Sequence, residues 1–244
     1  LPPAEPARWP ALLAAAWPEK TKVLFISQVT YTTGTRAPLA ELATLAHDHQ
    51  ALLLVDGAQA LGAIPLGLEA AGVDGWASSG HKWTHGPRGT GLMYRAAAAR
   101  EALSGIPLMT AKGATTYSAA SGTPDLVALA SLCAMLAAGA TLGWPALAAR
   151  AWDRRQALLA RLADGPAGTL LGPSDPAQAA AMCCTALPAG KQPGDIAQRL
   201  HQDHQIVVHA ISHGPLRGLR WSPWLYTSDA DLDRATTALA TLLR

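Results

Sequence analysis

Two hydrophobic rhythms run along the first hundred residues. Val23-Leu-Phe-Ile-Ser27 is a short apolar run with β-branched members that leads into a Thr and Gly cluster ending at Gly34-Thr35, which predicts a strand followed by a loop. Pro38 to Asp48 sets Leu39, Leu42, Ala43, Leu45 and Ala46 at helical spacing, with Pro38 suited to a first turn. Ala51 to Val55 then runs apolar without alternation and ends at Asp56, which predicts a strand buried on both faces. Leu66 to Ala71 predicts a second helix, Gly75 to Ser78 a third strand, and Gly89 to Tyr94 another strand after a turn rich in Gly and Pro. The order β, α, β, α, β predicts an α/β unit with a mostly parallel sheet.

Leu126 to Ala149 carries no charge and is long enough to imitate a membrane span. Its apolarity is mostly alanine, Gly139, Gly143 and Pro145 interrupt it, and it leads into the amphipathic run Arg150 to Arg161, so the expectation is a buried helix. Beyond it the rhythm changes. Met182 to Leu187, Ile206 to His209 and Leu219 to Ser222 predict strands, while Asp195 to Asp203 and Asp229 to Leu243 predict helices. This is an α+β pattern, so the expected division is a large domain over residues 1–150 and a small C-terminal domain over 151–244. No internal repeat is visible.

Composition narrows the class of partner. With 244 residues, half of them hydrophobic and 15% charged, the chain is long enough for a sizeable core and too apolar to be disordered. The 19 basic and 17 acidic residues leave a net charge of +2 with no long run of one sign, so nothing calls for nucleic acid or an anionic membrane; a small molecule is the expected partner. Of the three cysteines, Cys183 and Cys184 are adjacent, which fits a reducing compartment and a cytoplasmic protein better than a disulfide framework. Residues 1–20 show no signal-peptide pattern.

Of five lysines, Lys20, Lys22, Lys112 and Lys191 sit in polar or turn-like surroundings, whereas Lys82 follows Ser78-Ser79-Gly80-His81 just past the end of an apolar strand. Open α/β sheets place their ligand crevice at that edge. Desolvation there lowers a lysine's pKa and makes the neutral amine a nucleophile towards an aldehyde, which is Schiff-base chemistry. Position alone favours an ordinary strand-end lysine whose head is in water. Asp56 shifts the balance. It ends the preceding predicted strand and points to the same crevice, where a carboxylate calls for a cationic partner. The pyridinium nitrogen of pyridoxal phosphate is such a partner, and pairing with Asp56 keeps the ring protonated as an electron acceptor. Gln59 is placed to donate to the ring hydroxyl, Ser79 and His81 to a phosphate, and Gly80 lets the backbone approach.

Val55-Asp-Gly-Ala-Gln-Ala-Leu-Gly62, Ser79-Gly-His-Lys-Trp83 and Gly86-Pro-Arg-Gly-Thr-Gly-Leu92 together resemble the class V aminotransferase family of fold type I pyridoxal-phosphate enzymes, in its isopenicillin N epimerase-like branch. Ile26 to Gly34, Ser121 to Pro124 and Leu219 to Tyr226 fall in the same order, so the resemblance spans essentially the whole chain. It implies a three-layer α/β large domain, Lys82 as the Schiff-base lysine, Asp56 at the pyridine nitrogen, Gln59 at the ring oxygen, and Ser79 and His81 at the phosphate. It further implies that Thr123 reaches the phosphate of a neighbouring subunit in a homodimer with shared active sites, and that Arg220 holds the substrate carboxylate. Relatives of this kind have about a hundred or more residues ahead of the segment matching Leu1, including a phosphate-binding turn and a ring-stacking residue; the chain is therefore expected to correspond to their C-terminal portion. Gln28 and Tyr31 stand where relatives often have His and Asn, and Tyr31 is a candidate substrate contact. Residues 207–219 contain no cysteine, against the nucleophile that the cysteine desulfurase branch often carries between its last small-domain strands.

Other constellations are weaker. His81 and His85 lie beside the helix-breaking Gly86-Pro87 and no C-x-x-C occurs, so no metal is expected. Gly86 to Gly91 lacks the ending of a P-loop, and no Gly-x-Ser-x-Gly elbow is present. His201, His204, His209 and His213 read as surface and packing residues. Trp221 and Trp224 fit the substrate entrance and the core equally well. The expected function is a pyridoxal-phosphate enzyme acting on an amino acid or amine as an epimerase, aminotransferase or C–S or C–N lyase. The alternatives are a non-catalytic or incomplete fragment of such an enzyme, and a cysteine desulfurase.

Overall fold

In the computed structural model, which describes residues 1–103 and 125–244, the two apolar pentapeptides become parallel neighbours. β1 (Val23–Ser27) and β2 (Leu52–Asp56) pair in register from Val23 opposite Leu52 to Ser27 opposite Asp56. β3 (Gly75–Ser79) adds parallel to β2, and β4 (Gly91–Arg95) closes the sheet antiparallel to β3, giving the order β1-β2-β3-β4. The short α1 (Trp9–Ala15) and α2 (Leu39–Asp48) precede and follow β1. α2 lays Leu39, Leu42, Ala43 and Ala46 on Leu53, Val55 and Trp76, so one face of the sheet is covered by an amphipathic helix.

Three expectations are corrected here. Leu66 to Ala71 forms turns rather than a helix, because Pro65, Gly67 (φ +57°) and Gly72 (φ +71°) confine it to one turn closed from Ala71 N–H to Gly67 O. β2 is buried on the α2 face only: Leu53 and Val55 are buried while Leu52 and Leu54 are half-buried, and beside them Phe25 of β1 is 69% exposed. The apolar stretch after residue 125 is two helices, α3 (Leu126–Leu142) and α4 (Trp144–Leu162), bent by 82° at Gly143 (φ +85°). Asp125 caps α3 by accepting from Ala128 N–H at 3.0 Å. α3 buries only Leu132 and Gly139, the latter against the Trp144 ring, while Leu126, Val127 and Leu142 are exposed. Among the described residues no single helix is long and apolar enough to cross a membrane.

The second sheet is antiparallel, ordered β5-β7-β6 from β5 (Cys183–Ala186), β6 (His209–His213) and β7 (Leu216–Trp221). α4, α5 (Pro193–His204) and α6 (Asp229–Leu243) close over it through Leu158, Leu162, Ile196, Leu200, Leu219, Trp221 and Leu239. β6 begins three residues later than the expected strand start at Ile206. Gln205 takes a left-handed conformation and Ile206 N–H returns to Leu200 O, so Ile206 finishes the α5 cap. Ser228 and Asp231 form a reciprocal cap on α6.

The segment before β5 ties the two sheets together. Gly34 (φ +73°) passes so close to Met182 that a Cβ would strike its carbonyl oxygen, and Ala180 N–H donates to Gly34 O. Fully buried Arg155 of α4 donates to the carbonyls of Ala180 and Pro173 and lies over the Trp152 ring.

Candidate active site at the carboxyl edge of the parallel strands

Because β1, β2 and β3 are parallel, their last residues, Ser27, Asp56 and Ser79, come to one edge of the sheet. Asp56 is half-buried; its carboxylate accepts from Ala58 N–H at 2.8 Å and faces Ser27 Oγ at 3.5 Å, and no cation pairs with it among the described residues. Ser79 Oγ is buried with no hydrogen-bond partner. A buried hydroxyl left unsatisfied costs about 1–3 kcal/mol, so it calls for a ligand oxygen.

The loop that follows carries His81, exposed, and Lys82, half-buried. Gly80 knots it. Its N–H donates to Thr90 O, and its carbonyl accepts from Gly86 N–H and from Thr84 Oγ1, each at 2.8 Å. A Cβ at Gly80 would come within 2.7 Å of Leu132 Cδ1 and Thr90 Oγ1, so α3 presses on the loop from outside. Gln59, in the turn after β2, accepts at Oε1 from Trp83 Nε1 at 2.9 Å.

Arg220 enters from β7. Its Nη1 donates to Tyr31 O at 3.0 Å while its Nε is buried without a partner. Burial lowers the guanidinium's pKa, against smaller opposing effects of Cys184 and Tyr31. Cys184 and His209 lie directly opposite it on the flanking strands. The Tyr31 side chain is 51% exposed and makes its link to Arg220 through its backbone carbonyl. Thr123 lies outside the described residues.

Several contacts here had no signal in the sequence. Gln28 is buried and accepts from Trp76 Nε1 at 2.8 Å, inside the core rather than in the crevice. Trp224, buried with 2% exposure, donates to His85 Nε2 at 2.8 Å and packs on Trp83 with ring centroids 4.8 Å apart. Trp221 is likewise core. These pairs join residues far apart in the chain, and only a donor-only indole hints that a partner must exist. Among the described residues no group of three metal-ligating side chains occurs.

The family model for aminotransferase class V matches residues 9–234. Isopenicillin N epimerase of Streptomyces clavuligerus is 30% identical over 98% of this chain and 65% of its own length. A cysteine desulfurase of Escherichia coli is 35% identical over 67% of this chain and 43% of its own length. Among solved structures, a variant of the cystine C–S lyase C-DES, with glycine covalently linked to its PLP cofactor, superposes with a TM-score of 0.78 at 25% identity, covering 95% of this chain and 63% of that one. The chain spans less than two thirds of the length of each.

Proposed function

This chain belongs to the aminotransferase class-V family, and from that membership we propose that it binds pyridoxal phosphate at the carboxyl edge of β1–β3 and acts on the α-carbon of an amino acid or amine. The observation that carries the proposal is the pairing of an orphaned Ser79 hydroxyl with an Asp56 carboxylate that no cation faces among the described residues, on adjacent strands beside Lys82. The donor set fits the group: Ser79 Oγ and His81 for a phosphate, Asp56 for a pyridine nitrogen, Gln59 for a ring oxygen, and Lys82 for the aldehyde. When bound, the cofactor supplies an aldehyde that condenses with amines and a ring that accepts electron density from the substrate α-carbon.

The chain's own groups divide the remaining work. Asp56 would hold a proton on the ring nitrogen and so keep the ring electron-poor. Lys82 would hold the cofactor's aldehyde and, as a free amine beside the substrate, would take the proton from its α-carbon. Arg220, with Nε unpartnered, orients the substrate carboxylate, and Tyr31 borders the same space. Whether that proton returns to the α-carbon, moves to the cofactor, or is followed by loss of a β or γ substituent separates epimerase, aminotransferase and lyase, and the same residues serve all three. Thr123 is assigned to the phosphate of a neighbouring subunit in a homodimer with shared sites. The proposed boundary between a large domain over residues 1–150 and a small one over 151–244 would fall within α4. The cytoplasm is the compartment proposed, on the strength of three free cysteines.

Desulfuration through a persulfide on Cys133, Cys183 or Cys184 is the less favoured reading: residues 207–219 contain no cysteine, and burial pushes the Cys183 and Cys184 thiols up to about 12, away from the thiolate form such a nucleophile needs. The test common to the three favoured reactions is exchange at the α-carbon. With pyridoxal phosphate and a panel of amino acids in D2O, the chain is expected to incorporate deuterium at the α-carbon faster than free cofactor, and Lys82→Ala and Asp56→Ala are expected to lose that excess. Exchange no faster than with free cofactor overturns the proposal.

A further inference from the structure

We propose that Trp83 is a positioning residue that fixes the orientation of the Gln59 carboxamide, and through it the charge on the cofactor's ring oxygen; this rests on the pyridoxal-phosphate reading above. An indole N–H only donates, so the atom 2.9 Å from Trp83 Nε1 must be the amide oxygen of Gln59. The amide nitrogen is thereby turned away from Trp83, and it has no partner among the described residues. Gln59 thus presents donors, rather than an acceptor, to a ligand. Trp83 is itself held: its ring packs on Trp224, which is buried and bonded to His85. Gly62 (φ +81°) brings the turn that carries Gln59 against the Trp83 backbone, where a Cβ would come within 3.0 Å. Trp224 holds the ring and Gly62 approaches the backbone of Trp83, and the indole N–H so held leaves Gln59 one orientation.

The consequence is electrostatic. A donor to the ring oxygen draws off its negative charge and weakens that oxygen's hold on the proton shared with the Lys82 nitrogen, so the proton leaves at lower pH. A carboxamide free to rotate presents its oxygen part of the time and loses this effect. Losing part of this charge-assisted hydrogen bond raises the pH midpoint of the visible chromophore by roughly one unit.

The experiment compares wild type, Trp83→Phe, Gln59→Ala and the double variant, each loaded with pyridoxal phosphate and titrated by visible absorbance. Phenylalanine keeps an aromatic ring against Trp224 and removes the indole N–H. The proposal expects the midpoint to rise in each single variant and to rise no further in the double, since both act through one hydrogen bond. Additive shifts, or a midpoint moved by Gln59→Ala and unmoved by Trp83→Phe, overturn the positioning role while leaving the cofactor reading intact. No chromophore in wild type overturns both. A cofactor-free readout is the Trp83 indole resonance, identified by its loss in Trp83→Phe: it is expected to move upfield in Gln59→Ala, and an unmoved resonance contradicts the hydrogen bond itself.

Discussion

Adding one methyl group at Gly80 tests whether the lysine-bearing loop is packed as tightly as its geometry indicates. The alanine Cβ would meet Leu132 Cδ1 and Thr90 Oγ1, each at 2.7 Å, below any ordinary contact distance. Neither neighbour moves freely, because Leu132 is buried at 3% exposure and Thr90 Oγ1 donates to Pro87 O at 2.7 Å. Overpacking of this kind costs about 1–3 kcal/mol, and alanine returns about 0.4–1 kcal/mol by restricting the unfolded chain, so Gly80→Ala is expected to lose about 1–2 kcal/mol net. In urea denaturation that moves the midpoint down by about 0.5–1 M at a slope near 2 kcal/mol/M. Leu132→Ala destabilises by itself through the cavity it leaves, yet it removes one of the two clashes, so the double variant is expected to be less destabilised than the sum of the singles. A Gly80→Ala protein as stable as wild type, or strict additivity with Leu132→Ala, refutes the account of how α3 braces this loop.

Gln28→Leu strands the buried Trp76 indole N–H, costing about 1–3 kcal/mol and lowering Tm by about 2–10 °C in thermal unfolding; an unchanged Tm contradicts the assignment of Gln28 to the core. Thiol titration of the native protein at pH 8 is expected to find Cys133 alone reactive, because Cys183 and Cys184 are buried and raised to about 12, with all three reacting on unfolding; fast reaction of three thiols in the native state contradicts this. His209 is held below the ordinary histidine value, first by partial burial and then by the like charge of Arg220, so protonating it as pH falls through that value costs stability. Arg220→Ala is accordingly expected to raise the His209 midpoint in an NMR titration, and a fall or no change removes Arg220 as its neighbour.

Much of the first sheet is legible in the chain. The apolar runs at β1 and β2 and the spacing of α2 follow from periodicity, and an apolar run closed by Asp56 locates the edge where parallel strands end. The amphipathic run Asp229 to Leu243 gives the bounds of α6, which Ser228 is found to cap. Leu66 to Ala71 deceives because short apolar spacing cannot distinguish a helix from a turn once Gly67 and Gly72 take positive φ. The exposure of Leu126 and Val127 on α3 is hidden for another reason: periodicity reports what a helix offers, while burial depends on what arrives to cover it. The Trp83–Gln59 and Trp224–His85 bonds are invisible because a hydrogen bond between distant residues leaves no local pattern.

The proposed function depends on a covalent bond between one amine and pyridoxal phosphate. Incubating the chain with the cofactor, reducing with borohydride and mapping the peptides by mass spectrometry is expected to place the pyridoxyl mass on Lys82, to leave Lys20, Lys22, Lys112 and Lys191 essentially unlabelled, and to find no label in Lys82→Ala. Label spread over the surface lysines, or absent from Lys82, contradicts the account.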